Sequence, residues 1–185
     1  MIKPLTVTEL KKELNKIDQK QLVEIIVSLY KNDEKAKDIL CLRLRGEDYQ
    51  NELLKKYKTK MYDLFFPRSN PTMSFLKSAK ALITDIKKIG DDEMSLELML
   101  YYVECGNEFT NAYGDIDGPF YNSLTRMYEQ FVNQLNAKGT ESINLKYQER
   151  INDLVASSAD IGWGYGDYLL EKSYEIEWFG EEEND

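Results

Sequence analysis

The chain has 185 residues, 42% apolar and 31% charged, with 10 Gly and 4 Pro; this is far from the apolar-poor mixture of disordered chains, and folding at such a length buries roughly 70% of the unfolded surface, enough for a core without staples. No apolar stretch approaches the ~20 residues of a membrane-spanning helix, and the opening MIKPLTVTELKK has no apolar leader core or small-residue cleavage site, so a cytoplasmic location and no membrane partner are expected. Histidine is absent, which removes the commonest general base, the usual activator of a Ser or Cys nucleophile, and most zinc and haem ligation.

Thr6 with Glu9 three residues on forms a capping box for a first helix, with Leu5 and Leu10 as its staple and Leu10, Leu14 and Ile17 as its apolar stripe. Asp18 with Gln21 repeats the device for a second helix carrying Leu22, Ile25, Ile26 and Leu29, and the two are expected to form an antiparallel hairpin. Asp33 caps a third helix with Ala36, Ile39, Leu40 and Leu44 on one face and Gly46 as its stop. A fourth runs from about Asp48 through Leu53, Leu54, Tyr57, Met61, Leu64 and Phe65 until Pro67 halts it.

Asn70 as cap and Pro71 at the first helical position predict a fifth helix, with Phe75, Leu76, Ala79, Leu82, Ile83, Ile86 and Ile89 on one face and a stop at Gly90. Asp91, Asp92 and Glu93 set negative charge on the start of a sixth, whose stripe is Leu96, Met99, Leu100 and Val103 and whose end falls near Gly114. Asp117 opens a seventh with Phe120, Leu124, Met127, Tyr128, Phe131 and Leu135 inward, closed by Gly139. An eighth follows from Thr140 through Ile143, Tyr147, Ile151, Leu154 and Val155, and a last one after DIGWGYGD carries Tyr168, Leu169 and Ile176.

Period-2 alternation is missing, so the expected fold is all-α: about nine helices in an irregular multi-helix bundle or stacked helical hairpins, with no sheet. One helical domain over 1–180 is expected, followed by an acidic, disordered tail at 181–185. Residues 1–90 hold 19 Lys+Arg against 12 Asp+Glu and residues 91–185 hold 5 against 21. Such asymmetry marks either a basic face for an anionic partner or two halves that attract each other. Cys41, in an apolar run, reads as a core thiol rather than half of a bridge with Cys105.

Three features carry candidate chemistry. In YYVECGNEFTNAYGDIDGPFYNS, Glu104 and Glu108 lie one turn apart and Asp115 and Asp117 fall in the following turn, an oxygen-rich group of the kind that holds a hard cation or, alternatively, a solvated helix end with an N-cap aspartate. It is not an EF-hand: aligning Gly118 with the loop's glycine puts Tyr113 at the first ligand position and Leu124 where the bidentate Glu belongs. The run DIGWGYGD lacks the Lys-Ser/Thr of a P-loop and the preceding strand of a dinucleotide site; Gly162, Gly164 and Gly166 serve either tight packing or a groove edged by Trp163 and Tyr165. Lys11, Lys12, Lys16 and Lys20, and Lys55, Lys56, Lys58 and Lys60, are interleaved with Glu9, Glu13, Asp18 and Glu52, the pattern of a solvated helix face rather than a phosphate-binding patch, so nucleic acid is not an expected partner.

The segments LTVTELKKELNKID, QLVEIIVSLYK, the FFP stop, LMLYYVECGNEFTNAYGDIDGPFYNS and DIGWGYGD together resemble, over nearly the whole chain, an uncharacterised bacterial family of domain-of-unknown-function proteins. The resemblance implies a bacterial, cytoplasmic origin and transfers no activity to any residue.

A non-enzymatic binding or scaffolding role toward a protein partner is therefore the leading expectation, because rigid helices carrying Gly/aromatic turns concentrate function on those turns. The expected surface joins the turns 113–122 and 160–167 and comprises Glu104, Asn107, Glu108, Tyr113, Asp115, Asp117, Tyr121, Asn122, Asp160, Trp163, Tyr165 and Asp167. No cofactor is expected. The alternative is a carboxylate enzyme or divalent-cation site built on Glu104, Glu108, Asp115 and Asp117.

Overall fold

A computed structural model describes residues 3–68, 74–89, 92–138 and 140–177. Among these it contains nine helices and no strand: α1 Val7–Leu14, α2 Gln19–Asn32, α3 Glu34–Arg45, α4 Glu47–Phe65, α5 Phe75–Ile89, α6 Asp92–Tyr113, α7 Gly118–Lys138, α8 Glu141–Ser158 and α9 Tyr165–Ser173. The chain divides into two compact units, Met1–Asn51 and Glu52–Asp185.

In the first unit the expected starts are in place. Thr6 and Asp18 each accept from the backbone three residues on while Glu9 and Gln21 reach back, and Asp33 accepts from Ala36 N–H at 2.7 Å. Gly46 ends α3 at φ +62°, a conformation a β-carbon disfavours. The apolar stripes, however, form helices without being buried: Leu10, Ile25, Ile26, Leu29, Ile39 and Leu44 are all exposed. The packed pair is α2 with α3 rather than the expected α1 with α2, and Lys37 lies 5.7 Å over the Tyr30 ring between them. Capping is a local backbone matter, whereas burial needs a facing surface. Cys41 is half-buried, with its thiol 4.0 Å from Tyr30 Oη, and both cysteines are free. Among the described residues of this unit the one buried charge is Asp38, which accepts from Tyr49 Oη at 2.8 Å.

The second unit is built around α6. From Met94 to Leu100 every residue of this helix is buried, so its first half is enclosed on all sides rather than amphipathic as its stripe predicts; Val103, Cys105, Asn107 and Phe109 continue the buried surface, while Glu104 and Glu108 lie on a more open face. It packs against α5, α7 and α8. α7 runs antiparallel to it: Tyr102 meets Ser123 at 2.8 Å near the middle, and Lys138 reaches back to Asp92 at 2.7 Å. Gly106 allows the close approach, since a β-carbon there would sit 2.3 Å from Leu124 Cδ2. The inward faces predicted for α4, α5 and α7 are buried at Leu53, Tyr57, Met61 and Phe65, at Phe75, Leu76, Ala79, Ile83 and Ile86, and at Phe120, Leu124, Met127, Tyr128, Phe131 and Leu135. Phe65, Phe75, Tyr102, Phe109 and Phe120 form a continuous aromatic cluster, with neighbouring ring centroids 4.9 to 5.6 Å apart.

The ends of α6, α7 and α8 follow the sequence signals. Gly114, at φ +86°, ends α6; Asp117 Oδ1 accepts from Phe120 N–H at 2.9 Å to cap α7; and Thr140 Oγ1 accepts from Ile143 N–H at 3.4 Å to open α8. The expected signals at Asn70 and Pro71, Gly90 and Asp91, and Gly139, and the tail at 181–185, lie outside the described residues. Among the described residues no helix is long and apolar enough to cross a membrane.

Candidate functional site

The seam between α6 and α8 positions most of the candidate side chains. Lys146 pairs with Glu93 at 2.6 Å, Arg150 with Glu97 at 2.6 Å and with Glu104 at 2.8 Å, and Asn107 Nδ2 donates to Ser157 Oγ at 2.7 Å. Partners advance together along both helices, so α6 and α8 run parallel. Arg150 uses Nε and one terminal nitrogen on the two oxygens of Glu104 at 2.8 Å each, the bidentate geometry that suits a guanidinium, and its other terminal nitrogen on Glu97.

Glu97 is 5% exposed and also holds the Lys58 ammonium, which sits over the Tyr101 ring at 5.0 Å. Burial pushes its carboxyl up, but the Arg150 and Lys58 charges beside it prevail and hold it below the ordinary Glu range. Arg150 is drawn the other way: burial disfavours its charge, and the Glu104 and Glu97 carboxylates override that and raise its pKa. The guanidinium is therefore committed to the protein's own carboxylates.

Beyond Asn107 the two glycine-rich turns meet. Trp163 Nε1–H donates to both oxygens of Asp115 at 3.0 Å, and Tyr121 Oη donates to Asp115 Oδ1 at 2.8 Å. The same phenol oxygen accepts from Ile116 N–H at 3.3 Å and from Thr110 Oγ1 at 3.4 Å, so one buried hydroxyl ties the end of α6, the turn and α7 together. Tyr121 lies stacked near Trp163, centroids 6.3 Å apart, and 5.4 Å from Tyr165. Trp163 is 62% exposed and has φ +64°, and Gly164 follows at +66°; a left-handed tryptophan costs roughly 1–2 kcal/mol, offset here by its hydrogen bond to Asp115 and by its ring lying against Gly118, where a β-carbon would come within 3.3 Å of it. Gly166 permits the opposite contact: a β-carbon there would lie 2.3 Å from the Ser158 carbonyl oxygen, so this glycine brings α9 against the end of α8.

Two adjoining cavities open along this seam. The first, about 340 Å³, is lined by Glu104, Asn107, Glu108, Asn111, Arg150, Asp153, Leu154 and Ser157. The second, about 330 Å³, is lined by Thr110, Asn111, Gly114, Asp115, Ser157, Asp160, Ile161 and Gly162. They share Asn111 and Ser157 and so form one groove. Five carboxylates face it against the single guanidinium of Arg150, which Glu97 and Glu104 already engage.

The structure brings Glu104, Asn107, Glu108, Asp115, Asp160 and Trp163 to this groove or its rim. It places the other candidates elsewhere. Tyr121 and Tyr165, 3% and 1% exposed, are core residues rather than a binding surface. Tyr113 is exposed and packs on Phe109, with centroids 4.6 Å apart, and on Phe66. Asn122 is exposed, and its carbonyl accepts from Thr125; Asp167 is exposed in the first turn of α9, where the helix dipole favours an acid. The four carboxylates of the cation-site alternative do not form one ligating group: Glu104 grips Arg150, Glu108 accepts from Tyr62 Oη at 3.5 Å, Asp115 holds Trp163 and Tyr121, and Asp117 caps α7. Among the described residues no group of three or more Cys, Asp or Glu is placed to hold a metal ion.

Sequence reasoning missed Arg150, Asp153, Ser157 and Asn111. A signal was present for the first: Arg150 is one of 5 basic residues in the acidic half and sits beside the apolar stripe Tyr147, Ile151, Leu154, where a charge needs a buried partner.

No curated protein and no solved structure matches the chain. A family model matches residues 5–171, which include both units' described helices up to α9 and the whole groove; the chain belongs to the Family of unknown function (DUF6155).

Proposed function

We propose that the chain is a binding module whose working surface is the α6–α8 groove with its rim at Asp115 and Trp163, and that it takes a positively charged ligand or partner segment in a cytoplasmic, bacterial setting. The observation that carries this reading is the charge of the groove. Glu108, Asp115, Asp153 and Asp160 line it, while its one cation is neutralised by Glu97 and Glu104. Low-dielectric walls focus such a field toward solvent and favour a cation over an anion. The rim adds an exposed indole held in a strained backbone conformation, and an aromatic face beside carboxylates is a favourable contact for ammonium or guanidinium groups.

The test is fluorescence anisotropy with a labelled hexalysine peptide. Binding that weakens with salt, is lost in Asp153→Lys and Asp160→Lys, and survives in Glu171→Lys, an equal charge change on the exposed surface of α9, supports the groove. Equal losses in all three variants, or no binding at low salt, contradict it.

A further inference from the structure

The first unit has helices but no core. Among residues 3–51 only Asp38 is buried, and every apolar side chain is exposed or at most half-buried. α1, α2 and α3 have 8, 14 and 12 residues, and helices of such length are marginal in water unless an apolar face is packed. The contact of α2 with α3 packs little of it: Val23, Ile25, Ile26, Val27, Leu29 and Tyr30, all on α2, remain 39–52% exposed. A unit this small that encloses no apolar side chain needs an apolar cover from outside itself.

The extent of the bare surface matches one dimer interface. Five further exposed apolar side chains lie on or beside α1 and α3, and at roughly 60–120 Å² for each one fully exposed the unit presents roughly 350–700 Å² of apolar side chain. A standard interface takes about 800 Å² from each partner, and about 65% of a homodimer interface is apolar, which is about 500 Å².

The charges on α2 make this face complementary to itself. Val23, Val27 and Tyr30 follow one another at spacings of four and three positions and so run down one side of the helix, flanked by Glu24 and Lys31. A shallow depression of about 360 Å³ is lined by Val23, Glu24, Val27, Ser28, Lys31 and Asn32, all from α2, so these side chains share one open face. Glu24, Lys31 and Lys20 are the only charges of the helix, and Glu24 and Lys31 form no ion pair among the described residues. Two such helices laid antiparallel and crossing close to Val27 and Ser28 set Glu24 of each against Lys31 of the other. The two identical pairs are related by a two-fold axis, as an isologous dimer requires. A parallel pairing in register sets Glu24 against Glu24 and Lys31 against Lys31, which is repulsive at both.

We propose that two copies of the chain pair through the exposed apolar face of α2, antiparallel, with Glu24 of each copy against Lys31 of the other. The proposal concerns the first unit and does not rest on the groove.

The experiment is sedimentation velocity of the full chain at low salt across the micromolar range. Wild type sediments as a dimer, and its Tm rises with protein concentration because association stabilises the folded form. Val27→Asp, at an exposed position, sediments as a monomer. Glu24→Lys and Lys31→Glu each bring like charges together at both pairs, and each raises the dimer dissociation constant about tenfold or more. An equimolar mixture of Glu24→Lys and Lys31→Glu recovers the wild-type association, since both pairs across the crossing are again of opposite sign. Only contact between two chains produces that recovery, and it decides the matter should Val27→Asp fail to fold. A wild type that is monomeric at every concentration overturns the proposal and leaves the face to a different occupant. A dimer indifferent to Val27→Asp, or a mixture that associates no more tightly than its two components, overturns it as well.

Discussion

Trp163 donates its indole N–H to both oxygens of Asp115 at 3.0 Å, across 48 positions of sequence, and so fastens the turn after α6 to the turn after α8. Asp115 is also the acceptor for the Tyr121 hydroxyl at 2.8 Å. One exposed carboxylate thus organises the rim of the groove from two directions.

Asp115→Ala leaves the buried Tyr121 hydroxyl without its acceptor, and the expected cost is about 1–3 kcal/mol. Tyr121→Phe costs less in the Asp115→Ala background than in the wild type, because the hydroxyl there has already lost its bond to Asp115 and keeps only those from Ile116 N–H and Thr110 Oγ1, so the double mutant is more stable than the sum of the single changes predicts. Urea denaturation of the four proteins measures the coupling; strict additivity would mean the two side chains do not act as a pair.

The two tight glycines differ in what they face. At Gly106 a β-carbon meets the end of the Leu124 side chain, whereas at Gly166 it meets the backbone carbonyl of Ser158, each at 2.3 Å. A buried leucine shifts its rotamer at a cost of about 1–3 kcal/mol, while a helix backbone moves only as a unit. Gly166→Ala is therefore expected to lower Tm more than Gly106→Ala, and thermal unfolding followed by circular dichroism compares them directly.

Glu97 gives the stability a pH dependence. The Arg150 and Lys58 charges, prevailing over burial, depress its folded-state pKa below the ordinary value of 4.5, so its contribution is fully present above that value and is lost as pH falls through the folded pKa. Glu97→Gln abolishes this part of the acid limb: wild type loses stability relative to the variant as pH drops below about 4.5. Chemical denaturation at pH 7, 5, 4 and 3 reads the difference, and parallel profiles would assign the acid limb to other carboxylates.

The thiols should react unequally. Burial pushes Cys105 up to about 12, and the side chain is 1% exposed, so at pH 8 it carries almost no thiolate and is out of reach. Iodoacetamide under native conditions is expected to label Cys41, which is half-buried, and to spare Cys105 until the chain is unfolded. Mass spectrometry of the labelled peptides distinguishes the two sites.

Helix starts were legible because each depends on contacts three residues apart. Thr6 with Glu9, Asp18 with Gln21, Asp33, Asp117 and Thr140 all cap as their side chains dictate. The apolar stripes of α5 and α7 likewise marked their buried faces. What the pattern did not carry is which stripe finds a cover: those of α1, α2 and α3 are exposed or at most half-buried, and α6 is enclosed all round from Met94 to Leu100 although Ser95 and Glu97 interrupt its apolar residues. The groove was legible only in half. Its α6 wall and both turns stood out for their Gly, Asp and aromatic content. Its α8 wall did not, since the pairing of Arg150 with Glu104 and of Ser157 with Asn107 spans 46 and 50 positions, and no local spacing announces a parallel helix partner. Tyr121 and Tyr165 looked like turn aromatics and proved to be the packing beneath the turn.

The most direct measurement of the central claim is an amide chemical-shift map of the full chain titrated with hexalysine peptide at low salt. A groove closed by parallel α6 and α8 predicts perturbations gathered at Glu104–Asp115 and Arg150–Trp163, with the Trp163 indole N–H moving alongside them. Shifts spread evenly over the acidic exposed residues, or centred on α7 and α9 with the Trp163 indole unmoved, would contradict it.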